Sequence, residues 1–194
     1  MTTLPQLLAE ISSCRVCEAH LPYEPRPILA AGASSRVLIM GQAPGVRVHE
    51  SGIPWNDPSG QRLRNWLGVS EDQFYDDSIV ALVPMGFCYP GTGKSGDLPP
   101  RPECADLWHA RLLAKLSKVE LTLVVGRYAQ QFFLRDTNRN TLTETVGAWQ
   151  EYLPKALPLP HPSPRNNRWL KRNPWFEAEV VPYLRARMQE VLPV

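Results

Sequence analysis

Four short stretches of this chain read as strands, and what lies between them decides the fold. Val37-Leu38-Ile39-Met40, residues 119–125 and Ala156-Leu157-Pro158-Leu159 are apolar runs of strand length, and residues 78–83 form another. Runs without polar alternation suit strands buried on both faces. Helices are expected at 4–13, where Leu4, Leu7, Leu8 and Ile11 share a face, and at 60–67, capped by Ser59. Further helices are expected at 103–116, 128–134 and 174–191, the last kinked by Pro182. Strands alternating with helices require a parallel sheet covered on both sides and joined by right-handed crossovers. The expected fold is therefore α/β: a three-layer αβα sandwich around a central, mostly parallel four-stranded sheet. Its 194 residues support one domain, 1–194, with a core of its own. The final strand carries prolines, so it is short or lies at an edge.

Two loops leave this frame at the same end. Gly41-Gln42-Ala43-Pro44-Gly45 follows the first strand and His161-Pro162-Ser163-Pro164-Arg165-Asn166 follows the last. Open α/β sheets bind ligands outside the carboxyl ends of their strands, so the two loops are expected to share one cleft. The chain has 20 prolines, where the usual share is about 5%, and they gather at 22–27, 99–102 and 154–164. Apolar residues run through the same stretches, which implies shaped loops rather than disorder. No apolar stretch approaches the roughly 20 residues that cross a bilayer, and Met1-Thr2-Thr3-Leu4-Pro5 lacks the pattern of a secretory signal. A cytoplasmic protein without a membrane partner is expected.

Two further clusters carry chemistry. Arg165, Arg168, Lys171 and Arg172 lie between His161 and Trp175 with no acidic residue, interleaved with Asn166, Asn167, Asn173 and Trp169. A basic loop with amides and an aromatic suits a phosphate backbone beside an unstacked base; a solvated basic face is the alternative. Cys14 and Cys17 form a C-x-x-C pair, with Cys88 and Cys104 distant in sequence. In a cytoplasmic chain this pattern indicates a metal more often than disulfides, although Cys88 and Cys104 can also be buried small hydrophobes. Four thiolates suit zinc or an iron–sulfur cluster, and the site would tie the amino-terminal helix to the loop over 84–102 in a structural role.

Taken together, these residues resemble the uracil-DNA glycosylase superfamily, nearest the branch with a four-cysteine iron–sulfur cluster. Cys14, Cys17, Cys88 and Cys104 correspond to that branch's ligands, implying a [4Fe-4S] cluster, with zinc as the alternative. Gly41-Gln42-Ala43-Pro44-Gly45 is similar to the water-activating motif, and His161-Pro162-Ser163 to the leaving-group and minor-groove motif. Pro164-Arg165-Asn166 is more like the single-strand-selective branch. The resemblance implies a monomeric enzyme of DNA base excision repair, with Ser163, Arg165, Asn166 and Arg168 on the DNA. The stretch from Pro54-Trp55 to Gly60 lies where the family stacks an aromatic on the flipped base, so Trp55 is a candidate for that role, with core packing as the alternative.

The chemistry can be argued from the residues too. Cleaving an N-glycosidic bond needs the base out of the stack, donors for the charge that develops on it, and an activated water. His161 is the candidate donor, and Gly41 and Gly45 allow close approach of backbone to sugar and water. Three departures stand out. Gln42 replaces the branch's usual Glu; it can position a water but cannot take its proton. Asp57 is the candidate replacement base, although it can equally serve a helix amino-terminal turn; Glu50 is a second carboxylate nearby. Pro84 falls where the family has a base-reading Asn, and Asn56 is the candidate substitute. His49-Glu50 either lines the cleft or is a solvated polar pair. No lysine stands beside either motif to form a Schiff base, so a monofunctional glycosylase is expected. The alternatives are a non-catalytic DNA-binding member and a hydrolase of small nucleosides or nucleotides using Gly91-Thr92-Gly93-Lys94-Ser95, which lacks the leading glycine of a phosphate loop.

Overall fold

The structure is a computed structural model that describes residues 2–94 and 96–192. Its central sheet contains β1 (Val37–Met40), β2 (Val80–Leu82), β3 (Leu121–Val125) and β4 (Leu157–Leu159), in the order β2-β1-β3-β4. Every ladder within it is parallel: Val37 pairs with both Val80 and Leu121, and Leu123 with Leu157. β4 does lie at an edge, which is where a strand containing Pro158 can be accommodated. At the opposite edge a single antiparallel bridge joins Ala30 to Leu82.

Alternation along the strands divides the interior into two cores. Val37, Ile39, Leu123, Val125, Leu157 and Leu159 face one side; Leu38, Met40, Ala81 and Val124 face the other. The amino-terminal helix α1 (Leu4–Ser12) buries Leu4, Leu7 and Ile11 in the second core, closed at its start by a reciprocal Thr3–Gln6 capping box. α2 (Val46–Ser51) follows the first motif, and α3 (Pro58–Leu67) buries Leu63, Trp66 and Leu67 in the first core. α4 (Glu71–Tyr75) leads into β2. The helix over 102–113, α5, contains a π turn at Ala105–His109. α6 (Gly126–Leu134) and α7 (Leu142–Gly147) precede β4. α8 (Asn167–Arg172) and α9 (Val181–Val191) complete the chain, and α9 lays Leu184 and Met188 beside α3 in the first core.

Several local expectations are corrected. The cap of α3 is Asp57, not Ser59: Asp57 Oδ1 accepts the Gly60 N–H at 2.8 Å, while Ser59 is buried within the first turn. The basic stretch after His161 is not a loop; a 3₁₀ turn at Pro164–Asn166 passes into α8. Pro182 starts α9, and the pitch change it needs is carried ahead of it by a π turn at Phe176–Val180. α2, α4 and α7 were not expected.

Candidate active site

The strand order reverses between β1 and β3, and at such a reversal the loops leaving neighbouring strands diverge and open a crevice. A cleft of about 630 Å³ lies at this end of the sheet. Both motifs line it, Gly41 to Gly45 on one side and His161, Ser163, Arg165 and Asn166 on the other, together with Trp55, Asp57, Pro84 and Asp97. The shared cleft expected from the two loops is present.

Trp55 fixes one wall. Its indole stacks on the His161 imidazole, with ring centroids 5.6 Å apart and planes 26° apart, and it packs against the first core. Two glycines make room for it. A Cβ on Gly41 would stand 2.8 Å from Trp55 Cζ2, and one on Gly60 would stand 1.8 Å from the Trp55 carbonyl oxygen. Trp55 itself has φ of 57°, a left-handed backbone that is uncommon for a bulky residue. The free aromatic face expected for a flipped base is thus covered in part by the histidine. Core packing and cleft lining coincide in this one side chain.

His161 is held from several directions. The buried Gln130 side chain donates to the Leu159 carbonyl at 2.9 Å, fixing the strand two residues upstream. Asn166 Nδ2 donates to the His161 carbonyl at 2.7 Å, and Arg62 donates to the Ser163 carbonyl at 3.3 Å. The Ser163 N–H donates to His161 Nδ1 at 3.2 Å. A neutral imidazole accepting at Nδ1 carries its proton on Nε2, so His161 has an N–H donor available. Burial pushes the imidazole below its ordinary pKa, against the opposing pull of the Asp57 and Asp97 carboxylates. His161 is therefore the neutral donor tautomer at pH 7.

The other candidates divide. Gln42 lines the cleft, and its Nε2 donates to the Leu98 carbonyl at 3.2 Å, which leaves Oε1 as an acceptor. Asp57 lines the cleft with one oxygen engaged as the α3 cap. Asn56 is exposed and is not among the lining residues, because the tight turn into α3 directs it to solvent. Arg168 is exposed on α8 and also lies off the cleft. His49 and Glu50 do not line it either; His49 stacks on Tyr23 at a centroid distance of 5.2 Å and meets Tyr89 at a tilt, 6.0 Å away. Gly91 to Lys94 do not lead from a strand into a helix: Thr92–Gly93 pairs antiparallel with Gly96–Asp97 in a small hairpin, and Ser95 lies outside the described residues. Asp97, which lines the cleft, and Gln130, which holds the strand end before His161, carry no motif or spacing that marks them in the sequence.

The four cysteines come into one neighbourhood away from the cleft. Burial pushes the Cys104 thiol up to about 12, helped by Cys17, Cys88 and Cys14 and opposed by the Phe87 N–H. Burial likewise takes Cys88 to about 11, with the Arg26 N–H opposing and Cys14 and Cys17 adding to the rise. Cys17 is raised by burial and by Glu103, while Arg101 pulls it down. All four sulfurs thus sense one another, and N–H donors point at three of them. Among the described residues no three His, Cys, Asp or Glu side chains are arranged to hold a single metal ion. No helix among these residues is long and apolar enough to cross a membrane.

Comparison with known proteins covers both motifs. The family model described as the uracil DNA glycosylase superfamily matches residues 30–185. A curated relative, the type-4 uracil-DNA glycosylase of Archaeoglobus fulgidus, is 24% identical over 154 residues, spanning 76% of this chain and 72% of that protein.

Proposed function

Because this chain belongs to the uracil DNA glycosylase superfamily, we propose that it is a monofunctional DNA repair glycosylase. It hydrolyses the N-glycosidic bond of uracil, or of a related deaminated base, and leaves an abasic site. The observation that carries this reading is the neutral His161, with Nδ1 occupied by the Ser163 N–H and Nε2–H free to donate within the cleft. A base extruded from DNA enters between the two motifs. As its bond to the sugar breaks, charge grows on the base oxygen, and the His161 donor lowers the barrier because it is already oriented. The Gly41–Gly45 backbone approaches the sugar, and Gln42 Oε1 holds a water by accepting a hydrogen bond from it. Ser163, Arg165 and Asn166 face the DNA at the rim, and exposed Arg168 adds charge for the backbone. Asp57 and Asp97 are the carboxylates available to take the water's proton.

The cofactor proposed is a structural [4Fe-4S] cluster held by Cys14, Cys17, Cys88 and Cys104, with zinc as the alternative. Four sulfurs that act on one another, three of them approached by N–H donors, suit thiolate ligation of either group. When bound, the group would cross-link the segment after α1 to α5 and to the loop before it. The protein is proposed to act as a single-domain cytoplasmic monomer. A second reading, a DNA-binding member without catalysis, draws on Gln42, which lacks a carboxylate, and on Pro84, which lines the cleft without a side-chain donor.

The test is single-turnover cleavage of labelled oligonucleotides containing uracil, single-stranded and opposite each base, with alkali revealing abasic sites. The expected result is cleavage that falls about 10²- to 10³-fold in His161→Ala, the usual cost of losing one preorganised donor. Intact DNA binding with no cleavage of any deaminated base would establish the second reading instead.

A further inference from the structure

We propose that Asp97 is the carboxylate that activates the water in this cleft, replacing from the hairpin the acid that is missing at position 42. The assignment rests on the glycosylase reading and deepens it. Gln42 and Asp97 meet in one corner. The Gln42 side chain donates to the carbonyl of Leu98, the residue directly after Asp97, at 3.2 Å. Asp97 Oδ2 lies 3.3 Å from where a Cβ on Gly45 would stand, so the carboxylate rests against the last residue of the first motif. Gly45 leaves that approach unhindered. The Thr92 hydroxyl donates to Asp97 Oδ1 at 3.4 Å, and Tyr89 and Thr92 share a hydrogen bond of 2.6 Å beneath it. One oxygen is therefore oriented by the hairpin while the other faces the motif.

Asp57 is placed differently. Its Oδ1 holds the first turn of α3 through the Gly60 N–H, on the Trp55 side of the cleft. Taking a proton there would weaken an acceptor the helix needs. Asp97 has no helix depending on it, and its hairpin is linked to the first motif through Gln42.

In the reaction, Gln42 Oε1 accepts a hydrogen bond from the O–H that the water keeps, and Asp97 takes the water's other proton as its oxygen bonds to the anomeric carbon. The carbon–nitrogen bond breaks, and its electron pair leaves on the base, whose oxygen is held by His161 Nε2–H. The proton on Asp97 then passes to the departed base, so one water is consumed, an abasic sugar and a neutral base are released, and Asp97 is an anion again.

The experiment compares the wild type, Asp97→Asn and Asp57→Asn in single-turnover cleavage of a uracil-containing oligonucleotide from about pH 4 to about pH 8. Affinity for the uncleaved strand is measured in parallel. The expected result is a fall of about 10²-fold or more in Asp97→Asn with binding retained, and loss of the acidic limb of its pH profile, which Asp57→Asn keeps. Cleavage by the wild type with the limb lost in Asp57→Asn and kept in Asp97→Asn overturns the assignment and leaves the glycosylase intact. A wild type that binds but cleaves no deaminated base overturns both.

Discussion

Trp55 and the glycines around it show how little freedom single residues have at this site. The carbonyl of Trp55 occupies the space a side chain on Gly60 would need, at 1.8 Å, and it belongs to a left-handed residue that cannot easily yield. Gly60→Ala should thus destabilise the protein by about 1–3 kcal/mol despite alanine's better helix propensity, because overpacking against backbone outweighs a gain of about 1 kcal/mol. Chemical denaturation of the purified variant reads this directly. His161 was legible at this scale because an apolar strand ends directly before it, and strand ends are where such sites lie. Asp97 was not: its proximity to Gly45 comes from a hairpin whose placement depends on Gln42, fifty-five residues earlier in the chain. Asn56 failed for the opposite reason, since adjacency to Trp55 in sequence places it on the outside of a tight turn.

Among the elements, α3 draws its amino-terminal cap from Asp57, for which the sequence offered a helix turn and a catalytic base as alternatives. Asp57 caps the helix through the Gly60 N–H. Asp57→Ala should cost about 0.5–2 kcal/mol in urea unfolding, and Asp57→Asn much less, because asparagine caps nearly as well. An equal loss in both would mean that the charge, not the cap, stabilises α3. β1 and β3 were plain in the sequence as unbroken apolar runs, each central in the sheet and buried on both faces. α4 and α7 escaped because they are short, with little apolar periodicity. Their signal was local: Ser70 with Gln73 and Thr141 with Glu144 have capping-box spacing, and both boxes are formed. α2 carries no such mark; the side chain of Arg26 holds its end, donating to the His49 carbonyl at 2.6 Å and the Glu50 carbonyl at 3.0 Å.

At the scale of the whole molecule, stability should depend on one fully buried imidazole. His109 stacks on Phe87 at 5.4 Å and meets the edge of Phe132, and its ring nitrogens lie near the Met85 and Pro84 carbonyls without a well-formed hydrogen bond. Burial pushes its pKa down to about 4, against a smaller pull from the Met85 and Pro84 carbonyls. The unfolded chain binds a proton at this residue near pH 6.5, well before the folded one does. The stability contributed by keeping it neutral is whole above that pH and is lost as pH falls towards about 4, up to about 3 kcal/mol. Unfolding free energies measured across this window should slope downward with acidity, and His109→Phe should flatten the slope; an unchanged slope would assign the acid sensitivity elsewhere.

The sheet itself sets a limit on how copies of this protein can meet. One edge is the three-residue β4, interrupted by Pro158, and the other is engaged by Ala30 through its bridge to Leu82. Neither edge presents the long row of unpaired amides that recruits a neighbouring strand. Two copies brought close together can therefore touch through side chains, but among the described residues the central sheet offers no long open edge on which they could fuse.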